Sequence, residues 1–474
     1  MNLRHIKNGV FILGIGAALT WSGAVRAQSG DALLNKLIEK GVLTQREANK
    51  LREDMDKESA QTVEANNKIK VASWIDQMKW SGDLRLRSEY LGFENHINGK
   101  DSMGNWKAGN PDRLRFRYRL RLGMEANFVD WATLNVRLSS GEAAPGDPVS
   151  VNQSFNDTFK KKPINIDVAS ITLQPPSWDW IKIICGKMDI PIWQPKFNSP
   201  MAYDFDVTPE GIAEQIAFKF GDREQYKLFG NFGQFALKEF SKDSNDAYLF
   251  DLQGGAEAKF GSDMKNPRLR LTGAGGVFIT QNAARTNSTL LGDSPNLGNA
   301  VGIWGNTTNF LADFTVAYFR SEAAWLISDK PFLGTPSLFT VSGEYDKNIA
   351  DVYDKLKGSQ FGAVSNLNQT VGWTIQAQFG EAKKKGQWQV AYQYKYLEAD
   401  AVWDAITDSD WGNGGTDRKG HVVKVAYNPL DWWQLGFTGF VTEKISNRPN
   451  SGHNTQGVNG QDELRIQVDS VFKF

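Results

Sequence analysis

The sequence has little on which catalytic or metal chemistry could be built. Of 474 residues one is cysteine, Cys185, and four are histidine. No internal disulfide can form, no Cys/His metal motif exists, and Cys185 reads as a small packing residue. His5 lies in the N-terminal leader, and His96, His421 and His453 fall in or beside predicted loops. No Ser/His/Asp order with nucleophile-elbow spacing and no paired metal ligands accompany them, and the Gly-rich "GNGGTDRKG" at 412–420 lacks the following helix that cradles phosphate. An enzyme, a bound metal and a cofactor are therefore not expected. Charge of one sign is also missing: there are 54 basic and 54 acidic residues, and losing Arg4, Lys7 and Arg26 with the leader leaves 51 basic. Nucleic acid is not an expected partner.

Past the first thirty residues there is no apolar run approaching twenty, and the mean hydropathy is −0.44. That excludes transmembrane helices. It does not exclude a closed barrel, which spans a bilayer with alternating segments of about ten residues whose other face is wet. The 16 Trp, 28 Phe and 45 Gly suit such a barrel, with aromatic girdles at its rims and tight turns between its strands.

The leader has a basic start, an apolar stretch from Val10 to about Leu19, and small residues at Val25 and Ala27. Residues 1–27 thus read as a secretory signal peptide, too short in its apolar part to span. Residues 28–72 form a different kind of segment. Leu34, Leu37, Ile38, Leu51 and Met55 recur among helix formers, Gly41 breaks the pattern, and Thr44 with Glu47 has capping-box spacing. A short periplasmic helical segment is expected, either a coiled coil that joins subunits or a flexible amphipathic tether.

From residue 73 to 474 a period of two takes over. Val371, Trp373, Ile375, Ala377 and Phe379 share one face of "VGWTIQAQF", and Trp388, Val390, Tyr392, Tyr394 and Tyr396 share one face of "WQVAYQYKY". Sixteen such segments can be counted, from 79–90 to 462–474. The gaps between them alternate in length. "VD" at 129–130, "GDRE" at 221–224 and "NPLD" at 428–431 are short, whereas 91–111, 141–163, 189–209, 398–418 and 445–461 are long. Short periplasmic turns alternating with long outer loops predict an all-β, antiparallel transmembrane β-barrel of about 16 strands with both ends in the periplasm. The last strand, "DELRIQVDSVFKF", alternates to its final residue, so it is expected to close the barrel with Phe474 in the periplasmic aromatic belt.

"LLNKLIEKGVLTQREA", "DRLRFRYRLRLG", "GKMDIPIWQP", "YDFDVTPEGIA" and "YNPLDWWQLGFTGFVTEK" together resemble the bacterial putative porin family over nearly the whole mature chain. The resemblance implies an outer-membrane porin of a Gram-negative bacterium, surrounded by lipid and lipopolysaccharide. It also implies passive diffusion of small hydrophilic solutes and, by likeness to general porins, a homotrimer. Phe472 and Phe474 look like the C-terminal signal read by the barrel assembly machinery. Two other readings stay open: a structural barrel tethered through its N-terminal helix, and an anion- or phosphate-selective channel.

The residues that would set selectivity stand in the second strand. Arg113, Arg115, Arg117, Arg119 and Arg121 alternate with Leu114, Phe116, Tyr118, Leu120 and Leu122. Facing lipid, each arginine near the midplane would cost about 2–4 kcal/mol, so the reversed register loses by on the order of 5–15 kcal/mol. The arginines are expected in the lumen. Neighbouring strands add Arg85, Arg87 and Arg137, making eight arginines on a wall with Asp83, Glu89 and Glu125. The third outer loop carries Asp189, Asp204, Asp206 and Glu210 and is expected to fold inward as a constriction loop. Its carboxylates opposite the arginine column would set a transverse field; alternatively the arginines pair with adjacent acids and stiffen the wall. Asp404, Asp408, Asp410 and Asp417 cluster without EF-hand spacing and read as solvated outer-loop charge.

Overall fold

The computed structural model describes residues 77–94, 112–142, 147–156, 159–241, 245–283, 299, 301–304, 307–310, 313–350, 369–412, 414–445 and 462–474. The expected signal peptide and the 28–72 helical segment lie outside the described residues.

Alternation of apolar and polar side chains produces sixteen barrel strands, each antiparallel to the next. In chain order they are β1 Gln77–Glu94, β2 Arg113–Val129, β3 Ala132–Ser139, β4 Asn165–Leu173, β5 Ile181–Lys187, β6 Glu210–Phe220, β7 Tyr226–Lys238 and β8 Ala247–Phe260. The second half continues with β9 Leu269–Gln281, β10 Thr315–Phe332, β11 Thr335–Asn348, β12 Val371–Gly380, β13 Trp388–Leu397, β14 Arg418–Leu430, β15 Trp433–Lys444 and β16 Asp462–Lys473. The ring closes where β1 pairs with β16, from Asp83 opposite Lys473 to Glu94 opposite Asp462. Every strand edge is thereby paired, which lipid requires because it offers no hydrogen bonds to a free backbone. A two-residue strand, Gln153–Ser154, leans on β2, and Val301–Trp304 pairs with Thr307–Phe310 as a separate hairpin. The sequence reading missed both.

The two faces of each strand differ as alternation requires. On β12, Trp373 and Ile375 are exposed on the outside, while Thr374 and Gln376 are buried inside. Short turns gather at the end where the barrel closes. The tightest, Leu333–Gly334, has φ of 47° and 85°, a type I′ geometry that matches the right-handed twist of β10 and β11. Aromatic rings ring this end: Trp180 stacks on Phe218 at 5.6 Å, Phe332 meets Phe379 and Trp388, and Trp432 and Trp433 flank Phe472. At the other end Trp373, Tyr394 and Tyr396 stack along the rim. Helical structure among the described residues is 3₁₀ only, as in the turns Pro176–Trp178 and Asp404–Ile406.

The principal apolar core lies inside the barrel. Residues of the 188–209 loop (Met188, Ile192, Met201, Tyr203) and of the 398–417 loop (Val402, Trp403, Ile406, Trp411) pack together against lumen-facing Phe235, Phe278 and Phe440. These two outer loops enter the barrel where one was expected, and Val149 of the 141–163 loop joins the same core.

Candidate functional site in the barrel lumen

On β2 the arginines alternate with outward Leu114, Phe116, Leu120 and Leu122, all exposed. Arg115, Arg117, Arg119 and Arg121 project to the inner side, beside Arg85 and Arg87 of β1 and Arg137 of β3, whereas Arg113 sits exposed at the start of the strand. Most of these guanidinium groups are neutralised. Arg87 grips Asp469 with two parallel bonds of 2.7 and 2.9 Å and reaches Asp410 at 2.6 Å. Arg115 pairs with Glu89, and Arg119 with Asp83 at 2.7 Å. Arg121 pairs with Asp206, and Arg137 bridges Asp167 at 2.5 Å and Asp189 at 2.6 Å. Two arginines differ. Arg85 donates to Asn152 Oδ1 and Arg117 to Ser150 Oγ at 3.3 Å, and neither has a carboxylate within 4.0 Å among the described residues.

The carboxylates facing this column arrive on both inward loops as the same short motif, Asp204-Phe205-Asp206 and Asp408-Ser409-Asp410. In each, the first aspartate braces the chain. Asp204 Oδ1 accepts from the Asp206 amide at 2.8 Å and Oδ2 from the Ser409 amide at 3.0 Å, while Asp408 Oδ1 accepts from the Asp410 amide at 2.9 Å. The Asp204 amide donates to the Ile406 carbonyl at 2.8 Å, which locks the loops together. The second aspartate faces the arginines. Burial opposes ionisation of Asp206, yet Arg121, Arg119 and Arg85 outweigh it and hold its carboxyl below the usual range. Burial likewise opposes ionisation of Asp410, and Arg87, Arg465, Arg117 and Arg85 overcome it. Asp204 goes the other way, pushed well up by burial and then by Asp206 and Asp408, and burial raises Asp408 too, against the pull of Lys395.

The opposite wall holds the 188–209 loop by other means. Pro191, Pro195, Pro200 and Pro209 keep that loop extended and non-helical, so its remaining backbone groups must find partners inside the barrel. Three glutamines supply them, each from a different strand and each acting as donor and acceptor at once. Gln253 of β8 accepts from the Trp193 amide at 2.9 Å and donates to its carbonyl at 2.8 Å. Gln376 of β12 accepts from Asn198 at 2.7 Å and donates to Lys196 at 3.1 Å, and Gln393 of β13 accepts from Ser199 at 2.9 Å and donates back at 2.7 Å. Lys395 Nζ donates to Ser199 Oγ and to the Pro200 carbonyl, and lies 4.0 Å from the Trp411 ring centre. Tyr203 and Tyr318 both donate to Asp251, at 2.7 and 2.6 Å.

Of the loop acids singled out from sequence, Asp206 and Asp189 meet arginines, Asp204 braces the two loops, and Glu210 opens β6 on the exposed outer side beside Lys187 at 3.5 Å. Asp404, Asp408, Asp410 and Asp417, read as solvated, are buried or partly buried inside the barrel. The signal for the second loop was the repeated Asp-x-Asp, visible once both copies are set side by side. At the closing seam, the Phe474 and Gly82 backbones exchange hydrogen bonds of 3.1 and 2.8 Å. A Cβ on Gly82 would lie 2.6 Å from the Phe474 ring, so only glycine fits there. Phe472 stacks on Trp433 at 6.0 Å and 12°.

A family model described as "Putative porin" matches residues 50–299 and 333–455. No curated protein matches the chain. Among solved structures, the chain is similar to outer-membrane expressed OmpT of Vibrio cholerae (14% identity, 86% of this chain and 100% of that one, TM-score 0.43). It is also similar to the outer membrane channel DcaP of Acinetobacter baumannii (12%, 86% and 99%, 0.44) and to Pseudomonas putida OprB (9%, 88% and 97%, 0.46).

Proposed function

The chain belongs to the putative porin family, a barrel of the Gram-negative outer membrane, and from that premise we propose that small hydrophilic solutes diffuse passively through it along the arginine wall. One observation carries this reading: a charged wall inside the barrel, in which an arginine column is in direct contact with carboxylates of the inward loops. A charged, fixed lining orders water and lowers the barrier for polar solutes relative to apolar ones. Selectivity on this reading rests on fewer arginines than the eight in the column. Those with carboxylate partners contribute little net field, and Arg85 and Arg117, bonded to neutral Asn152 and Ser150, carry the surplus positive charge that favours anions.

The test is single-channel recording of the mature protein in planar bilayers, with reversal potentials under a salt gradient. Arg85→Gln with Arg117→Gln should move the reversal potential toward cation preference, and an unchanged potential would make the two arginines scaffolding. A second reading has its own support, since the apolar core formed by the two loops fills part of the lumen. A channel-free barrel would pass no current in the same recording.

A further inference from the structure

Between the 188–209 loop and the short-turn end of β5, β6 and β7, the lumen holds side chains that take no part in the arginine wall. Gln215 of β6 donates to the Pro191 carbonyl and so faces inward. Lys182 of β5 and Asn231 of β7 stand opposite it, which puts Lys227 and Phe229, on the Asn231 row, inside as well. With Trp193 of the loop they border a cavity of about 820 Å³. That is within the range of about 300–1,000 Å³ usual for small-molecule sites.

The two rings of this cavity are held in place from behind. Gln253 clamps the Trp193 backbone through both its amide and its carbonyl, and Gln253 Oε1 also accepts from Asn231 Nδ2 at 2.7 Å. Phe229 lies over Gly255, its cross-strand neighbour on β8, where a Cβ would come within 2.3 Å of the ring. The Trp193 and Phe229 rings meet at 6.1 Å and 60°, and both remain partly exposed. Positions fixed in advance spare a ligand the cost of ordering them. The cations beside the rings lack partners. Lys219 pairs with Glu224 at 3.3 Å and Lys259 with Glu257 at 3.5 Å, whereas Lys182 and Lys227 have no ion pair among the described residues. Lys227 Nζ stands 5.1 Å from the Phe229 ring centre. A ligand ring set against Phe229 at a centroid spacing of about 4.5–7 Å can therefore carry a directly attached carboxylate to Lys227. An aliphatic anion would use the lysines alone, and a neutral ring the aromatics alone.

We infer that this cavity is a binding subsite for aromatic carboxylates, with Trp193 and Phe229 taking the ring and Lys182 and Lys227 the carboxylate. The inference rests on the diffusion reading above, since it names a solute class for the same lumen, but it is tested by binding and not by current.

Fluorine NMR of 4-fluorobenzoate, titrated with the folded mature protein in detergent and referenced to empty micelles, tests this. The bound signal should be displaced by benzoate at lower concentration than by acetate or by benzyl alcohol. Phe229→Leu, which keeps apolar bulk but removes the ring face, should weaken binding about 2–10-fold. Lys182→Gln with Lys227→Gln should weaken it further at low salt and abolish the advantage of benzoate over benzyl alcohol. No binding beyond the micelle reference, equal displacement by acetate, or unchanged affinity in both variants would overturn the inference. So would a larger loss in Arg85→Gln with Arg117→Gln than in the lysine pair, which would move the site to the arginine wall. Binding without current in the bilayer recording would sink the diffusion reading alone, and current without binding would sink only this inference.

Discussion

The two sides of the lumen hold the same inward loops by opposite chemistry. On the β1–β3 side the contacts are ion pairs, long side chains meeting loop carboxylates in a partly wet space. On the β8–β13 side the 188–209 loop is held mainly by neutral amides, buried and geometrically paired with loop backbone, with Lys395 and Arg320 adding single bonds to the Pro200 and Trp193 carbonyls. A charged contact acts over distance and tolerates a shift, whereas a bidentate amide contact fixes position and fails if displaced by an ångström. The comparison assigns anchoring to the glutamine wall and the field to the arginine wall.

The largest effect should come from breaking the anchor. Changing Gln253, Gln376 and Gln393 together to alanine leaves six loop backbone groups without partners, at about 1–3 kcal/mol for each one that stays buried. The 188–209 loop should leave its seat, giving a larger and noisier single-channel conductance and faster proteolysis within the loop. Wild-type conductance in the triple variant would mean that the core of Met201, Tyr203 and Trp403 holds the loop without them.

Next is Arg87→Met, which strips Asp410 and Asp469 of a shared partner. Removing one side of a buried ion pair costs about 3–5 kcal/mol. Lower heat-resistance of the folded band on gels is the expected result. Adding Asp469→Asn should recover part of it.

Acidification should act on one wall only. Asp206 and Asp410 have depressed carboxyl pKa values, so their contribution is complete above the ordinary carboxylate value of about 4 and is lost as pH falls through the depressed values. Asp204 and Asp408 are raised, and each penalises the folded loops as pH rises from about 4, so protonating them brings no loss. Loop-dependent conductance noise should therefore not rise between neutral pH and about 4, where protonating Asp204 and Asp408 relieves their penalty, and should increase below it. A rise centred near neutrality would contradict the pairing.

The smallest effect concerns salt. Going from about 0.1 to 1 M shortens the Debye length from about 10 to 3 Å, which should weaken anion preference while leaving conductance per unit of bulk conductivity unchanged, because the neutral glutamine contacts are not screened. A pore that widened with salt would place the anchor on the arginine side.

Arg115, Arg117, Arg119 and Arg121 could be assigned to the inner face from sequence because alternation is local and the cost of lipid-exposed arginine is large, whereas Arg113, assigned there by the same pattern, sits exposed at the strand's start. Asp206 could be proposed as their counterpart from its place in the third loop. The partners of Arg87 could not, because Asp410 and Asp469 lie more than three hundred residues away. Nor could Gln253, Gln376 and Gln393, which in their own strands look like any polar residue facing water.

Strand number, inside and outside faces, and the seam at Phe474 were determined by the sequence alone, since a period of two is written within each segment and lipid penalises the wrong face one residue at a time. Which loops enter the barrel, which arginines remain without a carboxylate, and which wall anchors were decided only by closure. Those contacts exist because the ring brings β1 against β16 and sets the two Asp-x-Asp loops side by side, and no local pattern encodes a meeting between segments two hundred residues apart.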